Sequence, residues 1–122
     1  MSSKTSSDAV QVIPPALAER PLLSDLEVGE LSRLFAILAN DTRLRILHVI
    51  ARAGEAAVSD IAQEVEASVQ GVSNHLQRLA DQNIVATRRD GNRVHYRLID
   101  PCIGGVMELG LCLLGHNPIC EA

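Results

Sequence analysis

The stretch SDIAQEVEASVQGVSNHLQRLADQNIVATRRDGNRVHYRL, residues 59–98, decides the fold, because its hydrophobic period changes partway along. In its first half Ile61, Ala62 and Val65, and then Val72, Leu76 and Leu79, recur at helical spacing, which predicts two amphipathic helices. Ser59 is placed to cap the first, over Asp60–Val65, and Ser68 to cap the second, which runs to about Asp81. Only Glu66 to Ser68 joins them, as in a helix-turn-helix. In the second half Val94, Tyr96 and Leu98 alternate with Arg93, His95 and Arg97. Asp90-Gly91 separates this run, Asn92–Leu98, from an earlier one, Ile84–Arg89. Two such runs about an Asp-Gly pair predict a β-hairpin with a buried face and a cationic face.

Outward from this stretch the chain is helical. Leu31, Leu34, Phe35 and Leu38 give one apolar face to a helix over Glu27–Ala39. Asn40 or Asp41 then caps a helix Thr42–Ala53, carrying Leu44, Leu47, Ile50 and Ala51, and Gly54 stops it. Pro14 and Pro15 open a short helix over Ala16–Arg20, which Pro21 ends. Past the hairpin an apolar helix extends from Cys102 to about Leu114. Residues 1–13 read as a flexible Ser-rich tail, 14–116 as one domain and 117–122 as a C-terminal tail. The fold class expected is mostly α, a winged helix-turn-helix with a two-stranded β-hairpin wing.

Composition narrows the function. A chain of 122 residues holds one domain. With 11 basic and 15 acidic residues its net charge is −4, which excludes a protein that coats polyanions with its whole surface. Local charge reads differently. Arg78, Arg88, Arg89, Arg93 and Arg97 gather in one helix end and the hairpin, opposed only by Asp81 and Asp90. The second helix of the pair presents Ser68, Gln70, Ser73, Asn74, His75 and Gln77, polar groups suited to base edges and phosphates. Candidate contacts to double-stranded DNA are therefore Ser68, Gln70, Ser73, Asn74, His75 and Arg78 on the helix, with Arg88, Arg89, Asn92 and Arg93 on the wing.

Other classes find no support. His48, His75 and His95 lie apart on different elements, with no Glu-flanked His pair or nucleophile elbow, and Gly104-Gly105 lacks a Lys-Ser/Thr continuation. No enzyme is expected. The N-terminus has no apolar signal region, and Ile103–Gly115, interrupted by Glu108, is too short to span a bilayer. A cytoplasmic protein without membrane partners is expected. An odd count of three cysteines argues against a disulfide framework and for thiol chemistry or metal binding.

Three segments then carry a resemblance. Leu34–Leu47, reading LFAILANDTRLRIL, looks like the "ALADPTRLRIL" signature of the ArsR/SmtB family of metal-responsive repressors. VSNHLQRL, residues 72–79, is similar to that family's recognition helix, and RRDGNRVHY, residues 88–96, resembles its wing. The likeness covers about residues 27–116. It implies a homodimeric winged-helix repressor, paired through its N- and C-terminal helices, whose operator affinity falls when an inducer binds.

The resemblance also says where to look for the inducer. Many members carry a cysteine motif "ELCVxDL", but Glu55–Ile61 has no cysteine, alanine or valine standing at the potential thiol positions. The family's other site, Asp-x-His…His-x-x-Glu/His on the C-terminal helices, falls here on Asp100, Cys102, Leu113 and His116. Thiolate in place of imidazole favours softer ions. Cys102 and Cys112 are about 15 Å apart along one helix. In an antiparallel pair crossing near Met107, Cys102 comes level with the partner's Cys112, and Asp100 near the partner's His116. Helical phase opposes part of this. Leu113 lies within roughly 20° of Cys102 but Cys112 is displaced by roughly 80°, so Cys102, Val106, Leu109, Leu113 and His116 also read as an apolar dimer seam.

The expected inducer is a soft ion, Hg²⁺, Cd²⁺, Pb²⁺ or As(III), held by Cys102 and Cys112 with His116, Asp100 or Cys120 completing the set. The alternatives are a redox-sensing repressor with a cysteine disulfide, a member repressing without an effector, and an interaction module that has lost DNA binding.

Overall fold

The computed structural model describes residues 16–116, so the expected tails at 1–13 and 117–122, together with Pro14 and Pro15, lie outside the described residues. In chain order come α1 (Ala16–Glu19), α2 (Asp25–Leu38), α3 (Asp41–Ala53), β1 (Ala56–Ala57), α4 (Val58–Val65), α5 (Val69–Asp81), β2 (Val85–Asp90), β3 (Arg93–Leu98) and α6 (Cys102–Leu113). Helix α4, the turn and α5 make the helix-turn-helix, and β2 with β3 makes the wing.

Helices α2, α3 and α5 begin at side-chain caps. Ser24 Oγ accepts from the Glu27 amide at 3.1 Å while Glu27 Oε1 accepts from the Ser24 amide at 2.9 Å. This capping box starts α2 at Asp25, two residues before the expected start at Glu27. Asn40 Oδ1 takes the Arg43 amide at 3.0 Å and starts α3. Ser68 Oγ takes the Gly71 amide at 3.0 Å and starts α5. Between α4 and α5, Glu66 adopts a left-handed conformation, φ 56°, which turns the chain sharply.

Ser59 does not cap α4. The helix starts at Val58 with Ala57 as its N-cap and no side-chain bond there. The reason is β1, which the sequence reading missed. Ala56 pairs with Tyr96 and Ala57 with His95, so the backbone runs from a sheet directly into the helix. The wing is thus the outer part of a three-stranded antiparallel sheet of order β1-β3-β2. Its hairpin also shifts by one residue. Asp90 pairs with Arg93, leaving Gly91 and Asn92 as the loop. Gly91 has φ +64° and Asn92 has no positive φ, the arrangement of a type II′ turn.

The core collects Leu38, Ile46, Leu47, Ile50, Ile61, Val72, Leu76, Leu79, Ile84 and Val85. Tyr96 and Leu98 pack against it from β3, and Ile103, Val106 and Met107 from α6. On α3 the buried face is Ile46, Leu47 and Ile50, whereas Leu44 and Ala51, expected inside, are exposed. Two helices keep apolar faces uncovered in the single chain. On α2 Leu26, Leu31 and Phe35 are exposed, and on α6 no residue is fully buried. Leu22 before α2 is 97% exposed and Leu113 at the end of α6 is 88% exposed. Such surface is what a second copy would cover.

Candidate nucleic-acid interface and effector site

Helix α5 divides cleanly. Val72, Leu76 and Leu79 are fully buried, whereas Gln70, Asn74, Gln77 and Arg78 are exposed, with Ser73 half-buried beside them. Gln70, Asn74, Gln77 and Asp81 form one outer stripe. Within it Gln70 Nε2 donates to Asn74 Oδ1 at 3.0 Å, and Gln77 Nε2 to Asp81 Oδ1 at 3.0 Å. These amides are held in place before any ligand arrives. Gly71 sits close under the Ser68 cap: a Cβ there would lie 3.0 Å from Ser68 Oγ. Ser68 is occupied by that cap, so of the expected contacts it serves the helix first.

His75 stands off that stripe. It is half-buried and accepts, at Nδ1, a 3.2 Å hydrogen bond from Arg43 Nε. Burial pushes its pKa down, and the charges of Arg43 and Arg78 push the same way. It is a neutral imidazole at ordinary pH.

The wing carries Arg88, Arg89, Asn92, Arg93 and Arg97 exposed, as expected. Two of these arginines have partners that sequence reasoning did not find. Arg88 grips Glu55, with Nη2 2.7 Å from Oε1 and Nε 3.0 Å from Oε2. Arg93 Nη2 lies 3.3 Å from Asp60 Oδ2. Each pair spans 33 residues of sequence, so no local signal could reveal it. Hydrogen bonding from Arg88 holds the Glu55 carboxyl below its ordinary pKa, and Glu55 holds the Arg88 guanidinium above its own. Arg89 has no ion pair among the described residues.

The candidate effector residues sit at the two ends of α6. Asp100 Oδ1 accepts from the Cys102 amide at 2.8 Å, which satisfies a free donor at the helix start. Cys102 is a free, exposed thiol. Its own hydrogen bond to Asp100 and the nearby carboxylate charge raise its pKa, so the thiol is protonated at neutral pH. Cys112 is half-buried and disulfide-bonded, and His116 is exposed. Cys120 lies outside the described residues. Among the described residues of one chain, no three His, Cys, Asp or Glu groups come together to hold a metal ion.

A helix-turn-helix domain family matches residues 38–88. The cadmium resistance transcriptional regulatory protein CadC of Listeria innocua is 35% identical over 89 residues, covering 73% of this chain and 75% of that protein. The chain belongs to the ArsR/SmtB family of winged-helix transcriptional repressors. Among solved structures, the antimony-specific transcriptional repressor AntR matches with TM-score 0.74 at 50% identity, over 84% of this chain and 93% of that one. The homodimeric winged helix-turn-helix domain of Mycobacterium bovis Mb0332, solved by NMR, matches with TM-score 0.68 at 29% identity, over 79% and 91%. These ArsR-family relatives are transcription regulators, not enzymes. No helix among the described residues is long and apolar enough to cross a membrane.

Proposed function

We propose that this ArsR-family chain is a homodimeric repressor that a soft, thiophilic metal or metalloid ion releases from its operator. In this reading two copies pair through the exposed apolar faces of α2 and α6. Each lays the α5 stripe of Gln70, Asn74 and Gln77 in a major groove, with Ser73 and Arg78 flanking it. Arg88, Arg89, Asn92 and Arg93 of the wing meet the adjacent backbone. The ion is held by Cys102 and Cys112 across the dimer, with Asp100, His116 or Cys120 completing the set.

One observation carries the effector assignment. All three cysteines lie at or beyond the start of α6, a helix on which none of the described residues is fully buried. The donor chemistry suits the relatives' printed roles, cadmium for CadC and antimony for AntR, because soft sulfur ligands select soft ions over Mg²⁺ or Ca²⁺. The ion would supply strong bonds to sulfur between α6 helices. The chain's part is to present thiols, to give up the Cys102 proton, and to move α5 when the helices shift. With Cys112 disulfide-bonded, the site first needs reduction by a thiol reductant.

That disulfide favours a second reading, a repressor whose operator affinity follows the redox state of Cys112 with no ion involved. Fluorescence anisotropy of DNA from upstream of its own operon separates the two. If the first reading holds, reduced protein binds the DNA and Cd²⁺ or Sb(III) releases it, while Cys102→Ser binds but is not released. If oxidation alone releases the DNA and no ion does, the second reading stands.

A further inference from the structure

We infer that His75 is a positioning residue, whose uncharged Nδ1 ties the DNA-reading helix α5 to Arg43 and, through Arg43, to the end of the dimer helix α2. This rests on the reading of α5 as the DNA-recognition helix.

The geometry makes Arg43 a three-way brace. Its amide is held by Asn40 Oδ1 at 3.0 Å, its Nη1 donates to the Ile37 carbonyl at 3.1 Å, and its Nε donates to His75 Nδ1 at 3.2 Å. Ile37 lies in the last turn of α2, Arg43 in the first turn of α3, and His75 midway along α5. One half-buried guanidinium therefore links three helices. It forms no salt bridge among the described residues, so its charge is met by a carbonyl and an imidazole alone.

His75 faces the wrong way to read bases. At about 100° per residue it lies some 100° around the helix from Asn74, toward the buried Val72, Leu76 and Leu79. Accepting at Nδ1 places its single ring proton on Nε2. A second proton would occupy the atom that receives Arg43 Nε–H, and would set imidazolium against guanidinium. The charged groups acting on the ring are Arg43 from α3 and Arg78 from α5 itself, both positive. No described carboxylate offsets them. Protonation thus breaks the brace and frees α5 to shift against α2. Because α2 also presents the apolar dimer face, the brace is a direct material connection between the dimer seam and the helix that reads DNA.

The experiment compares wild type, His75→Asn and His75→Leu. Asn places its Oδ1 where Nδ1 stood and cannot be protonated, whereas Leu offers no acceptor. Operator affinity near neutral pH should be kept by His75→Asn and fall roughly ten- to hundredfold in His75→Leu, the worth of a hydrogen bond to a charged group. As pH falls below the ordinary imidazole value of about 6.5 and on through the lowered value of His75, wild-type affinity should fall relative to His75→Asn, which has no ring to protonate. Equal affinity in all three proteins, or parallel pH profiles for wild type and His75→Asn, overturns the proposal. Circular dichroism of each variant separates unfolding from repositioning. The ¹⁵N shifts of His75 in the free protein supply a test without DNA. A ring protonated only at Nε2 at pH 7 is expected, and the Nδ1–H tautomer or a doubly protonated ring overturns the brace. If this signature is found but wild type binds no operator, the repressor reading fails while the brace stands.

Discussion

Arg88 and Glu55 clasp across the base of the wing, with guanidinium Nη2 and Nε at 2.7 and 3.0 Å from the two carboxylate oxygens. The clasp joins the turn before β1 to β2, and so fixes the pitch of a hairpin that otherwise stands exposed. It also engages a cation that DNA phosphate would seek.

Glu55→Gln should therefore free Arg88 for the DNA backbone. Operator affinity should rise at low salt, and the slope of log affinity against log salt should steepen by up to about one unit per freed phosphate contact. An unchanged slope would show that freeing Arg88 adds no phosphate contact. The same clasp has a pH signature. Because the Glu55 pKa is lowered in the fold, its contribution is complete above the unfolded carboxylate value of about 4.3. It is lost as pH falls from there through the folded value. Wing loosening by hydrogen exchange should appear in the wild type only in that acid range, whereas in Glu55→Gln the wing should be loose throughout with no acid transition.

Gln70 and Asn74 act as a pair. Removing either by alanine should relax sequence preference at the bases it reads, by about 1–3 kcal/mol per lost contact. Since Gln70 Nε2 donates to Asn74 Oδ1, the double variant should cost less than the sum of the two. Binding to a panel of single-base operator variants measures both effects. Additive losses would mean the two side chains separate when they meet DNA.

Leu76 is fully buried at the centre of α5. Leu76→Ala should lower stability by about 2–5 kcal/mol, read by urea unfolding at fixed protein concentration because dimerisation adds to apparent stability. A loss under about 1 kcal/mol would contradict the packing described for the α3–α5 core.

Much of this architecture was legible in the sequence where the signal is local. The switch from helical to alternating period placed α5 and the wing, and Ser68 and Asn40 announced their caps. The capping box Ser24-x-x-Glu27 was equally legible and went unused, which left the start of α2 two residues late. Other features had no local signal. A two-residue strand of alanines, β1, exists only because β3 lies beside it, and its presence displaced the expected cap at Ser59. Leu31, Phe35 and Leu44 follow the helical period yet stay exposed, since period tells which residues share a face and not what covers it. In the candidate site, the wing arginines and the α5 stripe were found from residue type, but Arg43, Glu55 and Asp60 were not. Their partners are 32 or 33 residues away and meet only when the fold is complete.

In the proposed mechanism, ion binding at the α6 cysteines and operator binding oppose each other. The most direct measurement of this opposition is titration of the fully reduced protein with Cd²⁺, followed by thiolate-to-metal absorption, with and without operator DNA. Linkage requires that DNA weaken the ion by the same factor that the ion weakens DNA, a coupling of about 1–3 kcal/mol in regulators of this kind. The expected result is one set of symmetric thiolate sites per dimer, lost in Cys102→Ser and in Cys112→Ser, with Cd²⁺ affinity reduced five- to hundredfold on the operator, on the order of that coupling. Thiolate absorption that is indifferent to DNA, or that survives in both serine variants, would contradict it.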